Sequence, residues 1–333
     1  MKRLLLSLLC AAGLIGGLAS PAAADEVVIK IGTLAPNGST WHTLMKEMAQ
    51  KWQDATGGQV KLRIYPGGVL GNEGEQVKKM RINQLQAAAL TTIGLHEIAP
   101  DPQGVDVPGL VDSWKTLDYV MQRMGPKLEK KLEDKGFVVL SWSEVGFVRF
   151  FSTKKFSSIP ELLKAKVFCW EGDPASAEAW KIAGFSPVVM ASTDIVPSLQ
   201  TGILDTVGLA PLYAYQSQIF QKAKYMIDVP WSVLTGAMVV RKDAWEKIPA
   251  DQRAKLLAIS QEYGKRISAE VRKLDEDALK NMKAQGLEVV KPVDAANFTA
   301  LAQSTYKIVR GKIIPEATFD EVQRLVKEAH AQK

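Results

Sequence analysis

The sequence predicts an α/β fold in two lobes, for three reasons. Between residues 159 and 226, short apolar strands alternate with helices, which is the rhythm of βαβ units. The chain has 333 residues, more than one hydrophobic core usually serves. A helical pattern follows Pro249 and runs to about Lys283 without an internal proline, which is longer than most helices of globular domains.

The first half of the chain alternates between predicted strands and helices. Apolar residues predict strands at 27–34, 59–65 and 87–90, and apolar residues at helical spacing predict helices at 41–56, 73–84 and 114–135. Residues 94–113 hold three prolines and little helical pattern. Because long loops in compact domains are usually functional, we expect this segment to wall a cleft.

The second half continues the pattern. Strands are predicted at 137–142, 146–152, 166–170 and 233–240, and the last of these is expected to return to the first domain. One helix is predicted after Asp173-Pro174 and another ends at Gly202, a residue typical of helix C-termini. The long helix contains Gly264, where we expect a bend that serves as a hinge, and helices at 295–310 and 316–331 close the chain.

The N-terminus has the pattern of a cleaved secretory signal. A basic start at Lys2 and Arg3 precedes an apolar stretch, residues 4–18, and alanines 22–24 stand before Asp25. We therefore expect residues 1–24 to be removed. No later stretch approaches the ~20 apolar residues that span a bilayer, and Cys10 lies inside the apolar stretch, so we expect a free periplasmic protein without a lipid anchor.

The composition and motifs do not favour nucleic-acid binding, catalysis, or cofactor or metal binding. The chain has 42 basic and 36 acidic residues, and its net charge falls from +6 to +4 without Lys2 and Arg3. Because the charged residues are scattered along the chain and form no basic patch, no nucleic-acid partner is predicted. Cys169 lies between Phe168 and Trp170 in an apolar strand, which favours a buried core residue over a nucleophile. There is no Gly-x-Ser-x-Gly motif and no metal-ligand spacing, so neither an enzyme, a cofactor nor a metal site is predicted.

Four segments carry a resemblance to a known family. They are Gly-Thr-Leu-Ala-Pro at 32–36 with Trp41, Tyr-Pro-Gly-Gly-Val-Leu-Gly at 65–71, the strand at 146–151, and residues 159–226 with their Gln-Thr-Gly-x-x-Asp motif. In this order they resemble the solute-binding proteins of the tripartite ATP-independent periplasmic (TRAP) transporters, the family named after its dicarboxylate-binding members. The resemblance covers essentially all of the chain after residue 24.

The resemblance implies the two-lobed periplasmic binding protein fold, with the long helix spanning both domains. It implies domain I at residues 25–146 plus 233–268 and domain II at residues 147–232 plus 269–333. It also implies that a small organic solute binds in the cleft between the domains, that the cleft closes, and that TRAP membrane permease subunits receive the solute.

The residues that typically bind the ligand in this family are replaced in this chain. Relatives carry an arginine in the strand after an Ile-Pro-Glu-Leu-like turn, where this sequence has Phe168. A second arginine position corresponds to Val148, and the family's asparagine corresponds to Ala210. Arg149 is one residue away from the second position, so on a regular strand its side chain faces the opposite side of the sheet. A local bulge would turn it to the side of Val148, where it could reach the ligand. The chain therefore resembles a divergent subgroup without the usual ligand-binding arginine.

These replacements predict a pocket built for apolar surface. Phe168 and Trp170 are the first candidates, since residues two apart share a strand face. A core role explains each of the other candidates equally well. Asp173 is interpreted as a helix cap, with a ligand group for a cation or hydroxyl as the alternative. The other candidate ligand-binding residues are Trp41, Phe147, Arg149, Leu209, Ala210, Pro211, Tyr213 and Trp231.

The leading hypothesis is a periplasmic receptor that captures an apolar or amphipathic organic solute and delivers it to the permease. The first alternative is a receptor for a monocarboxylate or keto acid in which Arg149 reaches the cleft. Two further alternatives are a secreted hydrolase on a two-lobed frame and a sensor module that presents its closed form to a signalling receptor.

Overall fold

The structure is a computed structural model that describes residues 26–171 and 174–332. The predicted signal peptide and the predicted cap at Asp173 lie outside the described residues. Within the described part, no helix combines the length and the apolar composition that crossing a bilayer requires.

The strands are β1 Val27–Thr33, β2 Val60–Tyr65, β3 Ala87–Thr91, β4 Phe137–Ser152, β5 Lys166–Trp170, β6 Ser186–Met190, β7 Thr206–Leu209, β8 Tyr225–Ile227, β9 Ser232–Arg241 and β10 Glu288–Val290.

The helices alternate with these strands, as the sequence predicts, and a 3₁₀ helix at Asp101–Asp106 lies in the proline-containing segment. The described α-helices are α1 Thr40–Ala55, α2 Glu73–Arg81, α3 Thr92–His96, α4 Trp114–Asp134, α5 Ile159–Leu162, α6 Pro174–Ile182, α7 Ile195–Thr201, α8 Pro211–Gln216, α9 Lys242–Trp245, α10 Ala250–Ala284, α11 Ala295–Ser304, α12 Tyr306–Ile308 and α13 Glu316–Ala331.

The strands form a mixed sheet that passes through two lobes, in the order β2-β1-β3-β9-β4-β7-β5-β6, with β8 and β10 paired beside β4. In the first lobe β1 pairs in parallel with β2 and β3, and β9 returns antiparallel to β3. In the second lobe β5 is parallel to β6 and β7, and β7 is antiparallel to the end of β4. The two-lobed α/β fold is confirmed, whereas the exact domain boundaries stay a prediction.

β4 is one strand where the sequence predicts two. Its pairing with β9 continues across residues 143–145, with irregularities between Val139 and Ser141 and between Glu144 and Gly146. Gly146 has a φ of 134°, a conformation that favours glycine. The glycine that suggested the start of a second strand is therefore a bulge position, where an extra residue re-aims the side chains without ending the ladder.

The C-terminal prediction is also corrected in one place. The predicted helix at 295–310 ends at Ser304 and is followed by α12 and a π-helical turn, Val309–Ile313. Gly311 has a φ of 88° in that turn, so the backbone leaves the helical conformation there. The helices ending at Gly202 and spanning Glu316–Ala331 form as predicted, and Gly202 adopts the left-handed conformation that ends α7.

The long helix α10 is confirmed, and it packs on the cores of both lobes. Ile267 belongs to the core around α1 in the first lobe, and Met282 belongs to the core around β7 in the second. The helix is continuous through Gly264. A Cβ atom at this glycine would lie 2.6 Å from the Cβ of Ser141 and 2.6 Å from the carbonyl oxygen of Trp142. Gly264 thus lets α10 approach β4 closely, and its service as a hinge stays a prediction.

Replacing Gly264 with alanine separates this packing role from helix propensity. Alanine favours a helix interior by about 1 kcal/mol over glycine, but the added methyl group has no room against β4. We expect Gly264→Ala to lower the free energy of unfolding in urea by about 1–3 kcal/mol. The exposed position Glu262 serves as the control, because Glu262→Ala should stay within about 0.5 kcal/mol of wild type. A more stable Gly264→Ala variant would contradict the packing role.

Candidate ligand-binding cavities

An apolar cavity lies between the two lobes, and we call it the central cavity. It holds about 780 Å³ of space outside the protein atoms, part of it open to solvent. Both lobes contribute, since β1, α1 and β3 supply one wall and β7 with α8 supplies the other. The lining residues are Thr33, Leu34, Ala35, Trp41, Met45, Glu73, Ala89, Leu90, Thr91, Ser143, Val145, Trp170, Leu209, Ala210, Tyr213, Leu234, Gly236, Ala237, Met238 and Ile267.

A second cavity, here the aromatic cavity, adjoins the first, because Trp170 and Leu234 line both. It holds about 770 Å³. Its lining residues are Thr92, Ile93, Gln103, Asp106, Pro108, Val148, Phe168, Cys169, Trp170, Ser176, Trp180, Gly208, Trp231, Ser232, Val233 and Leu234. A third cavity of about 500 Å³ continues from it past Asp106, Trp180 and Trp231 toward the C-terminal segment.

The charges in these walls have one sign. Among the described residues that line the three cavities there is no lysine, arginine or histidine. Two acidic residues are present, Glu73 in the central cavity and Asp106 in the aromatic and third cavities. In the described residues, no group of three or more histidine, cysteine, aspartate or glutamate side chains is arranged to hold a metal ion.

Glu73 is held by three hydrogen bonds at the start of α2. Its carboxylate accepts from the backbone N–H of Thr91 at 2.8 Å, from the Thr91 hydroxyl at 2.7 Å and from the backbone N–H of Gly94 at 2.8 Å. Burial raises the pKa of Glu73, while these hydrogen bonds oppose the increase. Burial, together with the nearby Glu73, raises the pKa of Tyr213 to about 12, so Tyr213 presents a neutral phenol in the central cavity.

Asp106 is held in a similar way at the end of the 3₁₀ helix. Its Oδ2 accepts from the backbone N–H of Thr235 at 2.9 Å and from the Thr92 hydroxyl, and its Oδ1 accepts from the Thr235 hydroxyl at 2.8 Å. Burial nevertheless raises the pKa of Asp106 to about 7. The cavity therefore holds a carboxyl group that changes its charge near neutral pH.

The structure brings most of the predicted site residues to these cavities. Five of them, Trp41, Trp170, Leu209, Ala210 and Tyr213, line the central cavity. Phe168 and Trp231 line the aromatic cavity together with Trp170. Phe168 and Trp170 pack edge to face with ring centroids 5.0 Å apart, so the two residues predicted to share a strand face are in contact.

Three predicted residues do not line the described cavities. Phe147 packs on Trp114, with ring centroids 4.6 Å apart, and Pro211 is buried at the start of α8. Arg149 pairs regularly with Leu209 on β7, so no bulge turns it to the side of Val148. Its Nε lies 3.7 Å from a carboxylate oxygen of Asp228.

Sequence reasoning missed Glu73, Asp106 and Trp180 as wall residues. Glu73 and Asp106 are single acidic residues whose partners are threonines elsewhere in the chain, so no local motif marks them. The available sequence signal is the long segment at 94–113, which we expect to wall a cleft. The structure places Gln103, Asp106 and Pro108 of that segment on the cavity walls.

Contacts between the lobes lie beside the central cavity. The side-chain amide of Gln216 donates to the Thr40 hydroxyl at 2.8 Å, and the rings of Trp41 and Tyr213 are 6.4 Å apart. On another part of the rim, the side-chain amide of Asn72 donates to the carboxylate of Glu171 at 3.1 Å. These contacts join the two lobes near the central cavity.

Comparison with known proteins gives a family match. The model of the family described as bacterial extracellular solute-binding protein, family 7, matches residues 31–312. Among characterised relatives, the C4-dicarboxylate-binding periplasmic protein DctP of Rhodobacter capsulatus is 28% identical over 294 residues, which cover 86% of each chain.

Solved structures share the fold. A TRAP periplasmic solute-binding protein from Ralstonia eutropha H16, with bound (S)-2-acetolactate, superposes with a TM-score of 0.84 at 22% identity and covers 90% of this chain and 99% of its own. The sugar acid-binding protein DctPAm of Advenella mimigardefordensis, in complex with galactonate, superposes with a TM-score of 0.84 at 18% identity and covers 92% and 99%.

The raised pKa of Asp106 predicts how stability depends on pH. Because the folded chain holds this proton up to about pH 7 and the unfolded chain releases it near pH 4, the contribution of Asp106 to stability falls as pH rises between these values. We expect the free energy of unfolding of wild type, relative to Asp106→Asn, to fall by about 1–4 kcal/mol from pH 4 to pH 8. Urea unfolding at several pH values measures this difference. A difference independent of pH would show that Asp106 has an ordinary pKa.

Proposed function

The chain belongs to family 7 of the bacterial extracellular solute-binding proteins, and on that premise we propose that it captures a neutral, apolar or amphipathic organic solute between its lobes. It is a solute-binding receptor and not an enzyme. The proposal includes a periplasmic location and delivery of the solute to the membrane permease of a TRAP transporter. The relatives' location and the resemblance to TRAP receptors support these two points.

The charge of the cavity walls is the observation that carries the proposed ligand class. A carboxylate ligand would lose its hydration in a cavity whose described walls offer no cationic side chain. It would also lie near Glu73 and Asp106. Burying an unpaired charge is costly, and these two carboxyl groups add to that cost when they are ionised. A neutral solute avoids both penalties.

The walls supply affinity through apolar contact. Val148 and Phe168, at the positions where the resemblance implies arginines, both line the aromatic cavity. Burial of apolar surface gives about 25 cal/mol per Å². A ligand that buries about 300 Å² therefore gains about 7 kcal/mol, which is enough for binding near 10 µM. Binding at that affinity does not require an arginine that pairs with a carboxylate of the ligand.

A second candidate is an organic-acid receptor that uses Arg149. The Nε of Arg149 is buried and has no hydrogen-bond partner among the described residues, so it has the capacity to bind an acceptor. The relatives named above bind organic acids. This candidate requires Arg149 to leave Asp228, because in the structure its side chain does not line the described cavities.

Co-purified ligand gives the first test of the proposed class. We expect native mass spectrometry of the purified periplasmic protein, followed by extraction under denaturing conditions, to release a neutral molecule with a large apolar part. The molecule's identity then selects the compounds for titration. Recovery of small carboxylates alone would contradict the neutral class and leave the family assignment intact.

A matched pair of probes tests the role of charge. At pH 8, we expect 2-naphthamide to bind at least 10-fold more tightly than 2-naphthoate, because only the second carries a charge. Phe168→Ala and Trp170→Ala should each weaken 2-naphthamide binding about 10- to 100-fold, as expected for losing about 1.5–3 kcal/mol of apolar contact. Equilibrium dialysis measures these dissociation constants.

The control for these variants is Val189→Ala, since Val189 lies on the neighbouring strand β6 and is 51% exposed. It should bind both probes as wild type does. If 2-naphthoate binds more tightly, and Arg149→Ala weakens it while Phe168→Ala does not, the organic-acid candidate replaces the proposed one.

A further inference from the structure

Trp231 contributes an unused hydrogen-bond donor to the walls of the aromatic and third cavities. The residue is 5% exposed, and its indole N–H has no partner among the described residues. Its backbone is fixed on both sides, because its N–H donates to the carbonyl of Val148 and its carbonyl accepts from the N–H of Gly109, each at 2.8 Å. A buried donor without a partner is costly, which indicates that something else pairs with it.

Asp106 contributes an acceptor to the walls of the same two cavities. An ionised carboxylate accepts about four hydrogen bonds, two at each oxygen. Oδ2 of Asp106 already accepts from Thr235 and Thr92, whereas the described residues give Oδ1 one donor, the hydroxyl of Thr235. One acceptor position at Oδ1 is therefore open to a ligand.

The surrounding walls are aromatic. The ring of Trp180 stacks on Trp231 with centroids 5.6 Å apart, and Phe168 and Trp170 line the same cavity in edge-to-face contact. Aromatic side chains bind flat apolar rings through large contact areas and favourable ring geometries. The cavity thus combines a lining for a ring with the indole N–H of Trp231 and the open acceptor position of Asp106.

We propose that the aromatic cavity recognises a hydroxyl group on a neutral aromatic ring, with Trp231 donating to the hydroxyl oxygen and Asp106 accepting its proton. This inference rests on the proposed function and narrows the solute class to hydroxylated aromatic compounds. A hydroxyl is both donor and acceptor, so a single group satisfies both side chains.

Charged groups fit the same two side chains less well. A carboxylate would accept from Trp231 but would lie near the carboxylate of Asp106. An ammonium group would pair with Asp106, but it has no acceptor for the Trp231 N–H and would leave that donor unpaired. Of these three groups, only the hydroxyl leaves neither a like charge nor an unpaired donor.

Three probes of similar shape test the subsite at pH 8, namely naphthalene, 2-methoxynaphthalene and 2-naphthol. The first has no polar group, the second only accepts, and the third both accepts and donates. By equilibrium dialysis we expect 2-naphthol to bind about 10- to 100-fold more tightly than naphthalene, with 2-methoxynaphthalene between them. In Trp231→Phe the ratio of the naphthalene to the 2-naphthol dissociation constant should fall at least fivefold, and in Asp106→Asn it should also fall.

The control is Trp245→Phe, which removes an indole N–H from a tryptophan in the core of the first lobe. This variant should keep the wild-type ratio. Wild-type dissociation constants for naphthalene and 2-naphthol within twofold of each other, or a ratio unchanged in Trp231→Phe, would overturn the subsite and leave the proposed function standing. If naphthalene and 2-naphthol both fail to bind and 2-naphthoate binds, the proposed function fails and the subsite with it.

Discussion

The continuity of β4 is the constraint on which the two-lobed arrangement depends. This one strand pairs with β9 in the first lobe and with β7 and β8 in the second, so its backbone hydrogen bonds join the two halves of the sheet. The irregularity at Gly146 lies three residues before Arg149, where the pairing with β7 begins. Ser143 and Val145, before that irregularity, line the central cavity, and Val148, after it, lines the aromatic cavity.

The long helix α10 reinforces this connection by two different means. Gly264 allows the helix backbone to approach β4 closely. Further along the helix, Arg272 donates to Glu144 of β4 at 2.6 Å and 2.8 Å and to Asp118 of α4, so charge-assisted hydrogen bonds tie three elements together. The acidic residues of the cavity walls are held by a different set of contacts. Glu73 and Asp106 are kept there by backbone N–H groups and threonine hydroxyls in place of cations.

The hydrogen-bond partners of Glu73 and Asp106 determine which polar groups the cavity walls offer to a ligand. Arginine or lysine beside Glu73 and Asp106 would place cationic groups in the cavity walls that could bind organic acids. Threonine partners leave each carboxyl group able to accept a further hydrogen bond from a neutral donor. Three tryptophans and Phe168 supply apolar area in the cavity that Asp106 lines. The proposed solute, with a large apolar part and few polar groups, matches such walls, whereas two solved structures of the same fold hold (S)-2-acetolactate and galactonate.

The sequence by itself determined the alternation of strands and helices, the length of α10 and the family, because these depend on local periodicity, glycine and proline positions and spaced motifs. It also identified three candidates: Phe168 stands where the resemblance implies an arginine, Trp170 is two residues away on the same strand, and Trp231 lies near the predicted cleft. Only the tertiary structure decided that β4 is one strand, that Arg149 pairs with Asp228 beside the sheet, and that Asp106 lies between Thr92 and Thr235 at the aromatic cavity. These outcomes depend on contacts between residues far apart in the chain, which local patterns do not record.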